Sequence, residues 1–244
     1  MKKRVTFIVK TFERPNCLNR LIYSIKLMYP DIRIIVADDS SNPCKLTGVD
    51  HLHMPYDSGV SAGRNLALSK VDTEFVVTLD DDFVFDHRTR LEKWLTILDE
   101  TNLHMIGGNV DGHPEYHASL HIVDGALVFS KTPSGVLDNF ILWNIVLQFW
   151  MSRTDKVKEI GGWDHDFKTV DHMIFFARSI GKLNIGHTPT VSVGHRPIKD
   201  TNYYNHRNCR MQQYLRLMMD KLQINRVIDI NGRTLYTYDG NAIQ

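Results

Sequence analysis

Glu74-Phe75-Val76-Val77-Thr78-Leu79-Asp80-Asp81-Asp82-Phe83-Val84-Phe85 decides how this chain is read. Glu74 to Leu79 is a β-prone, largely apolar run, the signature of a strand buried on both faces. It delivers three carboxylates at its end. Clustered negative charge beside an apolar strand is costly unless a cation answers it, and a divalent cation held by oxygen ligands is the general answer. If strand geometry continues, Asp80 and Asp82 point one way and Asp81 the other. An acidic triplet also suits a turn or a helix N-terminus, so the surrounding sequence has to choose.

Toward the N-terminus, Val5 to Val9 and Ile32 to Ala37 have the same strand character, and Val49 to Met54 reads as a further strand. Pro15 opens a helix with apolar residues at helical spacing from Cys17 to Met28, and Pro30 stops it. Asp57-Ser58-Gly59 leads into a helix that runs through Leu68. Past the triplet, His87 to Glu100 carries Leu91, Trp94, Leu95 and Leu98 on one side. Leu103 to Ile106 reads as a short strand closed by Gly107-Gly108. This cadence predicts an α/β, Rossmann-like fold with a mostly parallel central sheet flanked by helices.

Beyond Gly108 the pattern loosens. Ser119 to Phe129 and Phe140 to Trp150 read as antiparallel strands joined through Lys131-Thr132-Pro133-Ser134-Gly135. Thr154 to Ile160 and Val170 to Ile180 read as helices, Leu183 to Gly194 as a strand, and Tyr203 to Leu222 as one long amphipathic helix. Arg226 to Tyr238 reads as a polar hairpin about Asn231-Gly232.

A length of 244 residues with 43% hydrophobic and 23% charged residues fits one large domain with an ordinary core. The net charge of +1 gives no argument for nucleic acid. Cys17, Cys44 and Cys209 show no paired spacing, so neither a disulfide framework nor a zinc site is expected. The apolar run after Met1-Lys2-Lys3-Arg4 is too short for a signal sequence, and Phe140 to Met151 is too short to span a bilayer. The expectation is a soluble, cytoplasmic domain without a transmembrane segment, with peripheral membrane contact left open.

Ligands of open α/β sheets bind beyond the carboxyl ends of the strands. Four polar clusters fall at such ends: Lys10-Thr11, Asp38-Asp39, Asp80 to Asp82, and His195. Together they suit a nucleotide diphosphate. Asp38 or Asp39 can accept from a base N–H or a ribose hydroxyl, and a metal on Asp82 would neutralise the diphosphate. Gly59-Val60-Ser61-Ala62-Gly63-Arg64-Asn65 offers backbone N–H groups and Arg64 to phosphate. Thr11 and Glu13 read equally as loop or capping residues. A His after an apolar strand is ordinarily structural, but beside an Asp-x-Asp, His195 reads as a metal ligand.

With these residues in view the chain resembles the metal-dependent glycosyltransferases of the GT-A fold. They share the acidic pair after the second strand, the Gly-x-x-x-Gly-Arg-Asn segment, the Asp-x-Asp, a Gly-Gly-Trp-Asp segment (Gly161 to Asp164) and a late His. More narrowly it is similar to the β-1,4-N-acetylgalactosaminyltransferase family that includes the ganglioside GM2/GD2 synthases. That likeness is carried by Lys10 to Arg14, Val36 to Ser40, Ala62 to Ala67, Leu79 to Phe85, Arg88 to Glu92, Arg153 to Val157 and Phe175-Phe176.

The resemblance implies a UDP-sugar donor, a divalent cation (Mn2+ or Mg2+), inversion at the anomeric carbon and a glycan or glycolipid acceptor. It implies that Asp82 and His195 hold the metal, and that Asp80 holds metal-bound water or the ribose. Asp38 or Asp39 would read uridine, and Thr11, Glu13, Arg14, Arg64 and Asp81 would complete the donor site. It divides a catalytic domain of 1–222 into a nucleotide-binding half (1–108) and an acceptor half (109–222), with 223–244 as an extension. The broad inverting pattern has a Glu-Asp pair before the acceptor-side helix, whereas Thr169-Val170-Asp171-His172 holds one carboxylate. Asp171 is therefore the base chosen, with His172 and Asp164 behind it. Tyr116, Phe140, Trp143, Trp150 and Trp163 are read as sugar-stacking partners or as core. Two alternatives stay open: a sugar-1-phosphate nucleotidyltransferase, against which the glycine-free Lys10 to Arg14 counts, and a sugar-nucleotide-binding protein without transfer activity.

Overall fold

The computed structural model of the protein describes residues 1–113 and 116–239. In chain order the elements are β1 (Val5–Thr11), α1 (Pro15–Met28), β2 (Arg33–Asp38), β3 (Asp50–His53), α2 (Val60–Ser69), β4 (Phe75–Asp80), β5 (Phe83–Val84), α3 (Glu92–Glu100) and β6 (Met105–Val110). There follow β7 (His117–Val123), β8 (Ala126–Ser130), β9 (Gly135–Leu137), β10 (Phe140–Trp143), β11 (Ile145–Val146), β12 (Trp150–Arg153), α4 (Thr154–Glu159) and α5 (Asp171–Ser179). The last elements are β13 (Ile185–His195), α6 (Thr201–Asn208), α7 (Met211–Leu222), β14 (Arg226–Ile228) and β15 (Thr234–Thr237).

The main sheet runs β3-β2-β1-β4-β12-β6-β13-β10-β9. β1, β2, β3 and β4 are mutually parallel neighbours, and β12 is inserted antiparallel between β4 and β6. The period-two rule explains why these strands lack a polar face. Val5, Phe7 and Val9 pack into the core under α1 and α3, while Ile8 packs into the core on the opposite face. Phe75, Val77 and Leu79 divide from Val76 in the same way, so both faces of the sheet are covered. A second sheet, β11-β7-β8-β14-β15, is built from strands of the second half of the chain.

The structure departs from the sequence expectations in four places. Gly107 and Gly108 do not close β6, which runs through both. A Cβ on Gly107 would meet Val146 at 2.8 Å and one on Gly108 would meet Trp94 at 2.7 Å, so these glycines are packing choices. Ser119 to Phe129 is a hairpin, turned at Asp124-Gly125 with both residues at positive φ. Phe140 to Trp150 breaks into three short strands. Tyr203 to Leu222 is two helices, interrupted at Cys209-Arg210. The hairpin at Asn231-Gly232 forms as expected, and β14 pairs parallel to β8, which joins it to the second sheet. Of the extension 223–244, residues 240–244 lie outside the described residues.

Candidate active site

β1 and β4 are register neighbours, with Lys10 opposite Asp80, so their carboxyl ends emerge together. They open into a crevice of about 450 Å³. β13 reaches the same place from the other half of the chain. Its last residues pair with β5, His195 opposite Phe83, and the Arg196 N–H donates to the Asp82 carbonyl at 2.9 Å. That short pairing sets His195 Nε2 3.5 Å from Asp82 Oδ2.

The three aspartates diverge because β4 ends at Asp80 and the next two residues form a turn. Strict alternation therefore fails. Asp80 accepts from Arg64 Nη2 at 2.7 Å. Asp81 is buried, accepts from the Thr11 hydroxyl at 2.7 Å and pairs with Arg14. Asp82 shares that guanidinium, its Oδ2 lying 2.9 Å from Arg14 Nη1. Burial raises the Asp81 carboxyl to about 6, with the Arg14 charge pulling against it.

The Gly-x-x-x-Gly-Arg-Asn segment is explained by close approach. Gly59, at φ 96°, donates its N–H to Asp39 Oδ2 at 2.8 Å, and a Cβ there would sit 2.5 Å from the Lys168 side chain. A Cβ on Gly63 would sit 2.5 Å from Lys10 Cγ, so this glycine lets Lys10 pass to Asp39. Arg64, one residue on and buried, spans the crevice by pairing with both Asp80 and Asp171. Asn65 clasps Trp163 through both main-chain groups, at 2.7 and 2.9 Å, which ties the Gly-Gly-Trp-Asp segment to α2. Val170, directly before Asp171, has φ 62°, a strained conformation for a β-branched residue.

A model of glycosyl transferase family 2 matches residues 6–161, more than half of the chain. The chain belongs to glycosyl transferase family 2. It is 38% identical over 206 residues to beta-1,4 N-acetylgalactosaminyltransferase 1 of Rattus norvegicus, covering 78% of this chain and 38% of the relative. It is 36% identical over 211 residues to beta-1,4 N-acetylgalactosaminyltransferase 2 of Mus musculus, covering 82% and 41%. The chain thus spans about two fifths of the length of these relatives. The crystal structure of S. aureus TarS 1-349 in complex with UDP-GlcNAc superposes with a TM-score of 0.60 at 15% identity, covering 81% of this chain and 59% of that one. The fold is that of the GT-A glycosyltransferases.

On this family 2 framework Arg14, Asp39, Arg64, Asp80, Asp81, Asp82, Asp171 and His195 all line the crevice. Thr11, Glu13 and Asp38 do not. Thr11 supports Asp81 from beneath, and the Glu13 carboxylate accepts from the Ser41 N–H at 2.7 Å. Asp38 is buried against His51 Nε2 (3.1 Å) and the Ser40 N–H (2.9 Å). Of the aromatic candidates, Trp150 and Trp163 are fully buried core, whereas Tyr116 is 38% exposed and lines the crevice. Asp164 is tied to Lys221 at 2.8 Å.

Several crevice residues carried no usable signal in the sequence. Asp57, at φ 55°, gathers Lys168, His206 and Arg210. With Phe12 stacked on His206 and Arg14 under Tyr203, it brings α6 over the crevice mouth. The helix expected over Tyr203 to Leu222 divides at Cys209-Arg210, and only α7 carries a marked apolar face. Among the described residues no helix is long and apolar enough to cross a membrane.

Proposed function

We propose that the protein is an inverting, metal-dependent glycosyltransferase that moves a hexose, N-acetylgalactosamine or a close relative, from a UDP-sugar to a hydroxyl of a glycan. The observation that carries this is the meeting of Asp82 and His195 on one side of the crevice with Asp171 on the other, where Arg64 pairs with both Asp171 and the neighbouring Asp80. The activities named for the N-acetylgalactosaminyltransferase relatives and the UDP-GlcNAc complex of TarS support the same choice.

A carboxylate oxygen and an imidazole nitrogen form a donor set that suits Mn2+ better than the oxygen-seeking Mg2+. Among the described residues no cluster of three His, Cys, Asp or Glu converges. Asp82 and His195 would therefore hold the ion with diphosphate oxygens and water completing its shell. Such an ion, when bound, neutralises the diphosphate as it leaves. Arg64 holds the Asp171 carboxylate toward the crevice, where it takes the proton of the acceptor hydroxyl. The hydroxyl oxygen forms a bond to the anomeric carbon from the face opposite the diphosphate. The bond from that carbon to the diphosphate oxygen breaks, and its electron pair leaves with UDP. Asp39, fixed by Lys10 and Gly59, faces the crevice and would read the nucleoside, with Asp38 behind it.

With Mn2+ present, the wild type is expected to hydrolyse a UDP-hexose slowly and to transfer it to glycan acceptors. Asp171→Asn is expected to bind UDP as the wild type does and to lose about 10²- to 10⁴-fold in transfer. Near-normal turnover in Asp171→Asn would remove it as the base.

A further inference from the structure

Glycosyl transfer, as assigned above, gives no role to His172, which lines the crevice beside Asp171. His172 is the second residue of α5, and its ring stands where the crevice meets a second groove of about 430 Å³. Its Nδ1 lies 3.2 Å from Gln148 Oε1, and Gln148 Nε2 donates to Thr78 Oγ1 at 3.0 Å. Gln148 and Thr78 are both buried, and Thr78 sits on β4 two residues before Asp80. The ring is thus anchored to the strand that carries the donor-side carboxylates. With Gln148 Nε2 donating to Thr78, Oε1 faces the ring, the arrangement in which Nδ1 carries the proton and Nε2 a bare lone pair.

That Nε2 is buried, and no described group partners it. A buried acceptor left unsatisfied costs about 1–3 kcal/mol, and such atoms in native structures call for a specific reason, a ligand among them. Burial holds the imidazole down to about 4, with the neighbouring Asp171 charge pulling it up and Arg64 pushing it down, so the ring is neutral at pH 7. Beside it lies Tyr116, ring centroids 5.8 Å apart, an exposed aromatic face of the kind that packs on a sugar ring.

We propose that a neutral acceptor saccharide, on entering the crevice, uncovers His172 Nε2, which accepts a hydrogen bond from one of its hydroxyls and holds the sugar so that its attacking hydroxyl faces Asp171. This assignment rests on the glycosyl-transfer reading. The chemistry of the site selects the ligand class: a bare imidazole nitrogen takes an O–H donor and offers nothing to a carboxylate or phosphate oxygen. Asp171 and His172, consecutive on the first turn of α5, then divide the work between proton acceptance and placement.

Nitrogen NMR of histidine-labelled protein at pH 7 is expected to show His172 protonated at Nδ1 and bare at Nε2; a proton on Nε2 overturns the proposal. Transfer from a UDP-hexose is then read on methyl β-hexosides, with donor hydrolysis read in parallel. His172→Phe keeps a ring against Phe176 and removes the lone pair. It is expected to lower kcat/KM for transfer by about 10- to 100-fold, chiefly through KM, and to lower hydrolysis far less. His172→Gln places an amide oxygen near the former Nε2 and is expected to recover part of the loss. Equal falls in transfer and hydrolysis, or Phe outperforming Gln, mark a packing role and overturn the proposal. Wild-type protein that binds no UDP defeats the glycosyl-transfer reading and this assignment together. A His172→Phe variant with undiminished transfer defeats the assignment alone.

Discussion

The two walls of the crevice hold their polar groups in different ways. On the wall proposed for the donor every carboxylate of the acidic triplet is met by a guanidinium: Asp80 by Arg64, Asp81 and Asp82 by Arg14. Lys10, whose ammonium burial makes easier to deprotonate, is matched by Asp39. On the acceptor wall His172 is held by a neutral amide, Nε2 has no partner among the described residues, and α6 is latched through Asp57. A wall of paired charges binds a charged diphosphate by exchanging partners at little net cost. The neutral ring of His172, unpartnered at Nε2, suits an uncharged saccharide. Arg64 joins the two by charge, since it pairs with a carboxylate on each side.

The sharpest way to break this contrast is to remove the joint. Arg64→Met leaves Asp171 and Asp80 without their shared cation, and is expected to cost about 3–5 kcal/mol in urea unfolding, together with transfer activity. Arg64→Lys is expected to restore little, because an ammonium lacks the fork that reaches two carboxylates. Loss of less than about 1 kcal/mol in Arg64→Met would show that the walls are independent.

A smaller effect tests the acceptor side through acid. His187, stacked on His117, is held down to about 4 by burial, and His117 pushes the same way. Its folded value is below that of the unfolded chain, so the unfolded state binds the proton more readily. Stability is therefore complete above about pH 6.5 and is lost as pH falls toward 4, by up to about 3 kcal/mol. His187→Asn is expected to flatten the dependence of urea midpoint on pH in that window. An unchanged slope would place the acid sensitivity elsewhere.

The smallest effect concerns the latch. Burial pushes the Asp57 carboxyl up, but hydrogen bonds from Arg210, Lys168 and His206 together outweigh it and hold the group below its usual value. Asp57→Asn is expected to cost about 1 kcal/mol and to speed amide exchange in residues 201–208, while the donor wall exchanges as before. Faster exchange throughout β4 would contradict a local latch.

The donor half was legible because its strands are covered on both faces and its motifs are local. Val5 to Val9, Ile32 to Ala37 and Glu74 to Leu79 state their burial directly, and the acidic triplet marks where β4 ends. The acceptor half was harder to read because its strands are short and its contacts are distant in sequence. Nothing near Gln148 announces Thr78, 70 residues away, or His172, 24 residues away. The amphipathic pattern that reads as one helix over Tyr203 to Leu222 belongs to α7, whereas α6 is polar and is held by the partly exposed ions about Asp57. Within the site, the carboxylates were found by type, whereas their pairing with Arg14 and Arg64 needed coordinates. Thr11, Glu13 and Asp38 carry the right chemistry and stand one layer behind the wall.

The central claim is that Asp82 and His195 form the cation-dependent seat of a UDP donor. Titration calorimetry of UDP into the wild type, with Mn2+ and with chelator, tests it most directly. The account expects binding with Mn2+ that is lost in chelator and in Asp82→Ala, and weakened in His195→Ala. UDP binding of equal strength in Asp82→Ala, or in the wild type without a cation, would contradict it.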